Sequence, residues 1–538
     1  MSAEEEIKSI PDPARTMEGL RDTGYEFETA IADIVDNSIA ANASEVNIQI
    51  TQDFRGAIRI LVTDDGDGMN REELIAAMQY GSPERPNPAS LGKYGLGLKT
   101  ASTAYCRRLS VISRKSGDEK PVMATWDLDH VMHKAKDWVL LVSEEPDEEA
   151  VKHLNILAKD TSGTVVLWSK VDRLLGNYQD PVGGFAKRAL DKRRNELREH
   201  LGTIYQRFLD HKDKRAPNVV IKIDGKKIEP WDPFQTAVSE LVANEAQKVE
   251  WEGQEAEFTV KAYILPRREE FPSDELAKEA KLSSERQGIY IYRENRLIHD
   301  ADWLDMYQKE PHGTLLRVEF SFDHRLDDAF HLDIKKSQII LNDDLWLYLK
   351  DQFLPAPRRQ ANLRYREGKK KDITKAAKGA HDASNRNIKN KEAEVGGAEV
   401  NIRDPNTGEV TITNKNGTFN MKLSISSANK PGEVYVQPVD ELNDGMLFEP
   451  ALIEQHKAVK INTSHPYYQK VYVPNFNKSV TMQGMDSLMW GLAIAELNAT
   501  SDKVQQDFEN MRYEVSRVLR TLVDNLPEPE TDSEADVA

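Results

Sequence analysis

The chain has 538 residues, and its 72 Lys and Arg against 90 Asp and Glu leave a formal net charge of −18, which excludes a surface that binds polyanions throughout. Its 39% hydrophobic content is enough for several packed cores, about three to four domains at the usual domain size. A mean hydropathy of −0.62, with no run of about 18 apolar residues, argues against a membrane-spanning helix and for a cytosolic protein.

The N-terminal stretch MSAEEEIKSIPDP lacks the charged-then-apolar order of a secretion signal. The first informative segment is AIADIVDNSIAA, Ala30 to Ala41, where Ala30, Ile31, Ile34 and Val35 recur at helical spacing. That helix puts Asp33 and Asn37 at i and i+4, on one face. Next, the apolar run from Ile58 to Val62 reads as a strand that ends in DDGDGM, Asp64 to Met69. Two glycines there let the backbone approach a flat ligand, and the turn can present the Asp64 carboxylate to an adenine amino group. The segment GSPERPNPA, Gly81 to Ala89, has three prolines and no apolar periodicity, so it reads as a loop. It leads into SLGKYGLGLKTAS, where Gly92, Gly95 and Gly97 precede a helix. Such a loop aims backbone N–H groups at phosphates, and Lys99 adds positive charge. Together these segments predict one ATP site. Two other phosphate motifs fail on spacing: the lysine comes two residues after Gly97, which breaks the P-loop pattern, and the strand and G-x-G-x-x-G order of a dinucleotide site is absent.

Cys106 is the only cysteine, which excludes a disulfide framework and a cysteine-based metal site. His130 and His133 lack the surrounding carboxylate–histidine pattern of a zincin and read as surface or core residues. The segments VMATWDLD and TVVLWSKVD read as strands by their β-branched and aromatic content.

These segments resemble the GHKL ATPases, which share the Bergerat nucleotide-binding fold. The likeness is closest to the MORC (microrchidia-type) branch and its prokaryotic relatives. The resemblance implies an α/β (α+β) architecture: an ATPase domain with helices on one face of a mixed sheet over residues 1–175, then an α/β transducer-like domain. It implies ATP and Mg²⁺ as ligands, with Asp33 as the catalytic acid residue and Asn37 as the metal ligand. Asp64, Gly66 and Gly68 would form the adenine turn, with Met69 packed on the base. The lid would run from Tyr80 through Lys99, and Gly163 with Thr164 would form a later box. The implied nucleotide contacts are Asn37, Ala41, Asp64, Gly66, Gly68, Met69, Gly92, Lys93, Tyr94, Gly95, Leu96, Gly97, Leu98, Lys99, Thr100 and Thr164. Two positions depart from the pattern. Asp33 stands where the family most often has Glu, one methylene longer, so turnover is expected to be slow. Ala40 stands where many relatives have Asp.

Residues 176–355 read as the second α/β unit, opening with a polar helix from Phe185 to Leu209 and a strand with a turn at Asp224–Gly225. The segments GIYIYRENRLI, LLRVEFSF and HLDIKKSQIIL resemble a transducer domain, in which a lysine reaches the γ-phosphate; the candidate is Lys336, with Lys335 as the alternate register. Residues 356–397 form a basic helix or linker, with twelve Lys and Arg between Arg358 and Lys391 against three acids. This stripe is either a solvated helix or a phosphate-contacting surface. Residues 398–480 read as short strands, with Asn416–Gly417 as a hairpin turn. Helices are expected over 481–526, where Val504, Phe508, Met511, Val515, Val518 and Leu522 form a seam for another helix. The last stretch, 527–538, is acidic, apolar-poor and expected to be disordered.

The expected function is an ATP-hydrolysing, nucleotide-gated homodimeric clamp or switch, acting on DNA through the basic stripe. By resemblance, prokaryotic relatives are tied to restriction and antiviral defence, so proteins of such systems are candidate partners. Two alternatives stand: a chaperone-type GHKL ATPase acting on protein clients, and a nucleotide-dependent interaction module that does not turn over. A sensor kinase is disfavoured, since only about 25 residues precede the Asn37 helix, too few for a dimerising helix pair, and none is His. A topoisomerase or mismatch-repair protein would need a nuclease or strand-cleaving module, for which no matching acidic cluster is found.

Overall fold

The computed structural model describes residues 11–22, 24–81, 89–91, 97–118, 120–135, 137–159, 161–176, 178, 180–251, 254–327, 343–405, 407–415, 417–442, 445–499, 501–523 and 526. Gly92 through Leu96, Lys335 and Lys336, all singled out above, lie outside these residues. The chain divides into two compact units, Met1–Ala361 and Asn362–Ala538.

In the first unit, helices α1 (Pro13–Arg21) and α2 (Phe27–Ala40) precede the hairpin β1 (Glu45–Gln52) and β2 (Ile58–Asp64). Helices α3 (Arg71–Met78) and α4 (Gly97–Tyr105) lead to β3 (Cys106–Arg114), β4 (Val122–Asp127) and β5 (Leu141–Ser143). Then come α5 (Glu148–Ala158), β6 (Gly163–Val171), α6 (Gly184–Ile204), α7 (Gln206–Leu209), β7 (Val220–Ile223) and β8 (Lys226–Lys227). Local chemistry sets several of these boundaries. Asp12 caps α1 ahead of Pro13, Asp147 caps α5, and Asn70 with Glu73 forms a capping box at α3.

The eight strands form one mixed sheet in the order β5-β4-β3-β6-β2-β1-β7-β8, antiparallel except where β7 runs parallel to β1. Alternation along β2 sends Ile60 and Val62 to the main core beneath α2 and α4, and Leu61 to the opposite face. On that face Leu61 meets Ala150, Leu154 and Ala158 of α5, so a helix covers part of the side that the one-face layering left open. The sheet also runs past residue 175: β7 and β8 extend it, so Val220–Lys227 lie in the same sheet as residues 45–171. Register explains this, because Ile221 and Ile223 pair beside Val46 and Ile48 and complete the same buried face.

The second sheet joins β9 (Glu240–Trp251), β10 (Gln254–Ile264), β11 (Gly288–Arg293), β12 (Arg296–Asp302) and β13 (Leu316–Phe322) in the order β12-β11-β13-β10-β9, with α8 (Asp274–Glu279) beside it. Its buried Glu319 is surrounded by Arg207 at 3.1 Å, Arg215 at 3.3 Å and Lys261 at 3.3 Å. Burial raises the Glu319 carboxyl, but the three cations together hold it below the usual carboxylate range. A second buried pair ties the two sheets together. Arg296 of β12 donates to Asp36 of α2 at 2.7 Å, and the Tyr205 hydroxyl donates to the same oxygen at 2.7 Å.

Short helix α9 (Asp343–Leu347) and long helix α10 (Pro355–Ala380) follow, and α10 runs from the first unit into the second. The second unit contains α11 (Asp382–Val395), a three-stranded sheet β14-β15-β16 and a four-stranded sheet β17-β19-β20-β18. These strands are β14 (Glu399–Asp404), β15 (Glu409–Asn414), β16 (Gly417–Lys422), β17 (Ser424–Ser426), β18 (Val436–Val439), β19 (Phe448–Ile453) and β20 (His456–Asn462). Helices α12 (Ser479–Leu497) and α13 (Asp502–Leu522) complete it. Strands β15 and β16 form the expected hairpin, with Asn414 opposite Gly417; Asn416 itself lies outside the described residues. Ala377 of α10 and Ile388 of α11 join the same core as the strands and α12, so these basic helices pack into a domain and do not act as a bare linker.

The apolar seam of α13 differs from the heptad reading. Val515 and Leu519 pack on the core, whereas Val518 is 42% exposed and Leu522 68% exposed. A straight helix on a sheet keeps a 3.6-residue period, so its buried stripe drifts off a 3.5-residue repeat after two heptads. The partner of α13 lies in its own unit: Arg512 pairs with Glu496 at 2.8 Å, and the Leu447 N–H donates to Ser516 Oγ at 2.9 Å.

Breaking the pair between the sheets should be costly, because it strands a buried charge. Arg296→Met is expected to destabilise the first unit by about 3 to 5 kcal/mol in urea unfolding of the full chain. The double variant Asp36→Leu/Arg296→Met should recover most of that loss.

Candidate functional site

Helix α2 is buried along every residue from Ala30 to Asp36, more than an amphipathic stripe requires. Burial therefore encloses the acids it carries. Asp33 is 7% exposed, and the Asn37 side-chain nitrogen donates to the Asp33 main-chain oxygen at 2.8 Å. That bond ties the amide N–H₂ to the helix and makes the amide oxygen the end suited to a hard cation. The Tyr25 hydroxyl donates to Asp33 Oδ2 at 3.1 Å.

The turn expected to face adenine is built from the end of β2. Asp64 is 5% exposed; Ser38 Oγ of α2 donates to its Oδ2 at 2.8 Å, and the Gly66 N–H donates to its Oδ1 at 3.0 Å. Burial dominates over these donors and pushes the Asp64 carboxyl up to about 6. The two turn glycines are sterically required. A Cβ on Gly66 would lie 2.6 Å from the Ala41 carbonyl oxygen, and one on Gly68, at φ +66°, would lie 1.9 Å from the Arg114 carbonyl oxygen. Ala41 takes part through its backbone, its carbonyl accepting the Asp67 N–H at 2.8 Å.

The later Gly-Thr box falls beside this turn. Thr164 pairs with Asp64 across β6 and β2, and a Cβ on Gly163 would sit 2.4 Å from the Asp64 carbonyl oxygen. Ser113 of β3 joins Thr164 Oγ1 at 2.9 Å and accepts the Met69 N–H at 2.8 Å. Asp64, Gly66, Gly68, Met69 and Thr164 thus come together, and α2 carries Asp33 and Asn37 beside them.

The first residue of α4 closes on the same helix: a Cβ on Gly97 would lie 3.3 Å from Asp33 Oδ2. Leu98 packs against the core, and Thr100 Oγ1 donates to the Gly97 carbonyl at 3.4 Å. Lys99 is 1% exposed, and its ammonium donates to the Ala77 carbonyl at 2.9 Å, joining α4 to the end of α3. All six residues of α4 from Lys99 to Ala104 are buried. Tyr25, Ser38, Ser113 and the Asp36–Arg296 pair were not among the residues singled out in the sequence. Ser38 directly follows Asn37, but its partner lies 26 residues away. Among the described residues no cluster of His, Cys, Asp and Glu fits a metal ion, and no helix is long and apolar enough to cross a membrane.

Residues 25–164 match the family model described as "Histidine kinase-, DNA gyrase B-, and HSP90-like ATPase". The chain is 34% identical over 89 residues to "ATPase morc-1" of Caenorhabditis elegans, covering 16% of this chain and 10% of that protein. It is 34% identical over 95 residues to "DNA mismatch repair protein MutL" of Phenylobacterium zucineum, covering 16% and 15%. It is 29% identical over 90 residues to "ATPase MORC2B" of Mus musculus, covering 16% and 9%. The chain spans no more than 15% of the length of these relatives. What it shares with them is the nucleotide domain: with its mixed sheet, buried acid helix and glycine turn, the segment is a GHKL-type ATPase domain, related to those of the MORC and MutL proteins.

Proposed function

We propose that this protein hydrolyses ATP to ADP and phosphate and uses the nucleotide cycle as a conformational switch, working as a dimer on DNA. One observation carries the reading: helix α2 presents Asp33 and Asn37 and also anchors Asp64 through Ser38. The water-activating acid, the metal ligand and the adenine acceptor are thereby referred to one rigid element.

In this reading Asp64 accepts the adenine amino group, while Gly66 and Gly68 let the backbone approach the base beside Met69 and Thr164. Asn37 would hold magnesium, whose charge would neutralise that of the phosphates. Gly97, Leu98 and Thr100 open the helix that follows the phosphate loop. The water oxygen bonds to the γ-phosphorus as the bond from phosphorus to the β–γ bridging oxygen breaks, its electron pair leaving on ADP. The water proton passes to the Asp33 carboxylate and then to solvent.

The DNA reading rests on the basic stripe and on the printed name of the MutL relative. Within the first unit Arg358 stacks on Tyr307 at 3.4 Å, and within the second Lys391 pairs with Glu394 at 2.8 Å, so neither is a leading phosphate ligand. In α11 the buried positions are Ser384, Asn385 and Ile388, which leaves Arg386 and Lys389 exposed on the other side. Arg366 of α10 is exposed as well.

Three outcomes check this. Asp33→Ala should keep ATP binding, read by calorimetry, while lowering turnover by about 100-fold or more; equal rates would refute the assignment. Asp64→Asn should weaken ATP binding about 10- to 100-fold, by loss of a charged acceptor, and should raise the melting temperature of the ligand-free protein. The sign follows from the raised carboxyl: its contribution to stability is complete below the unfolded value of about 4 and is lost as pH rises through about 6, so the ionised acid is a burden at neutral pH. Finally, joint substitution of Arg366, Arg386 and Lys389 by Glu should weaken binding to a duplex in fluorescence anisotropy. The salt slope should fall by about 0.9 for each phosphate that is no longer neutralised. Unchanged affinity and slope would assign the stripe to solvent and favour a chaperone-type role.

A further inference from the structure

The geometry points to Tyr25 as the residue that positions Asp33, an inference that rests on the reading of Asp33 as the base. Asp33 is shorter by one methylene than the acid expected at this place, so something outside the side chain must set its orientation. The Tyr25 hydroxyl donates to Asp33 Oδ2 at 3.1 Å from a ring that is only 8% exposed. Tyr25 is itself held from behind. Its main-chain oxygen accepts the Tyr105 hydroxyl at 2.7 Å, and the Tyr105 ring lies parallel to Trp168, with centroids 6.1 Å apart, and edge-on to Phe27 at 5.5 Å. Tyr105 is the last residue of α4, and Gly97, whose Cβ would sit 3.3 Å from the same carboxylate oxygen, is the first. One helix therefore meets Asp33 at its start and fixes the donor of Asp33 at its end.

A hydroxyl donor stabilises a buried carboxylate against its neutral form and restricts its rotation. Tyr25 keeps its own proton throughout; the proton from water goes to Asp33 and then to solvent. Among the charged groups near Asp33 is Arg296 of β12, itself paired with Asp36. Farther along α2, Glu28 faces Arg193 and Glu196 of α6. His200 of α6 is held neutral near pH 7, because burial and Arg296 push it down to about 4. None of these changes when the Tyr25 hydroxyl alone is removed.

The test is Tyr25→Phe in the full chain, which keeps the ring and deletes the donor, measured beside Asp33→Asn with saturating ATP and the same DNA. Expected is an ATP affinity unchanged within about twofold and a kcat lowered about 10- to 100-fold. A merely structural loss would lower affinity and kcat together. A kcat like that of the unmodified protein, or a parallel loss of ATP affinity, would overturn the inference, while loss of activity in Asp33→Asn would leave the base reading standing. Full activity in Asp33→Asn would instead overturn the base reading and this inference with it. Should Tyr25→Phe fail to fold, by circular dichroism, Tyr105→Phe carries the test: it releases the main chain of Tyr25 and should lower kcat by less at unchanged ATP affinity, and an unchanged kcat there overturns the inference.

Discussion

Much of this molecule depends on one constraint, the burial of acidic side chains on and around a single helix. Seven consecutive residues of α2, Ala30 to Asp36, are buried, and two of them are aspartates. A carboxylate removed from water must be given donors or a cation, or it will take up a proton. Each acid here receives a different partner: Tyr25 for Asp33, Arg296 and Tyr205 for Asp36, Ser38 and Gly66 for Asp64.

Those partners link elements that are remote along the chain. The donor to Asp36 comes from the second sheet, 260 residues away, so the helix that carries the candidate chemistry is fastened directly to β12. A shift of α2 on nucleotide binding would therefore be felt at the second sheet without an intervening loop. Physically this is a stiff connection, because loosening it would strand a buried charge. The donors to Asp64 hold it less firmly, and burial leaves that carboxyl raised. Asp64 and Asp36 are thus held by the same ingredient with opposite balances of burial against pairing.

The second unit follows a different logic. Its basic helices contribute Ala377 and Ile388 to the core and keep Arg386 and Lys389 exposed, so these cations are mounted on a packed scaffold.

The glycine turn after β2 was legible in the sequence by itself, because its requirements are local. Gly66 and Gly68 sit where a Cβ would strike Ala41 or Arg114, and Asp33 and Asn37 fall one helical turn apart whatever surrounds them. The hairpin closed by Asn414 and Gly417 was legible for the same reason. Tertiary structure alone decided how far the sheet extends, since β7 joins β1 only through long-range register. It decided that Lys99 turns inward to Ala77, and that the stripe of α13 drifts to Leu519, because an inward helix face and a 3.6-residue period become visible only against a packed neighbour. It also supplied the partners of the three acids. Hydrogen-bond partners separated by 8, 26 and 260 residues leave no periodic trace in a sequence, and only the fold, by burying these carboxylates, makes the partners necessary.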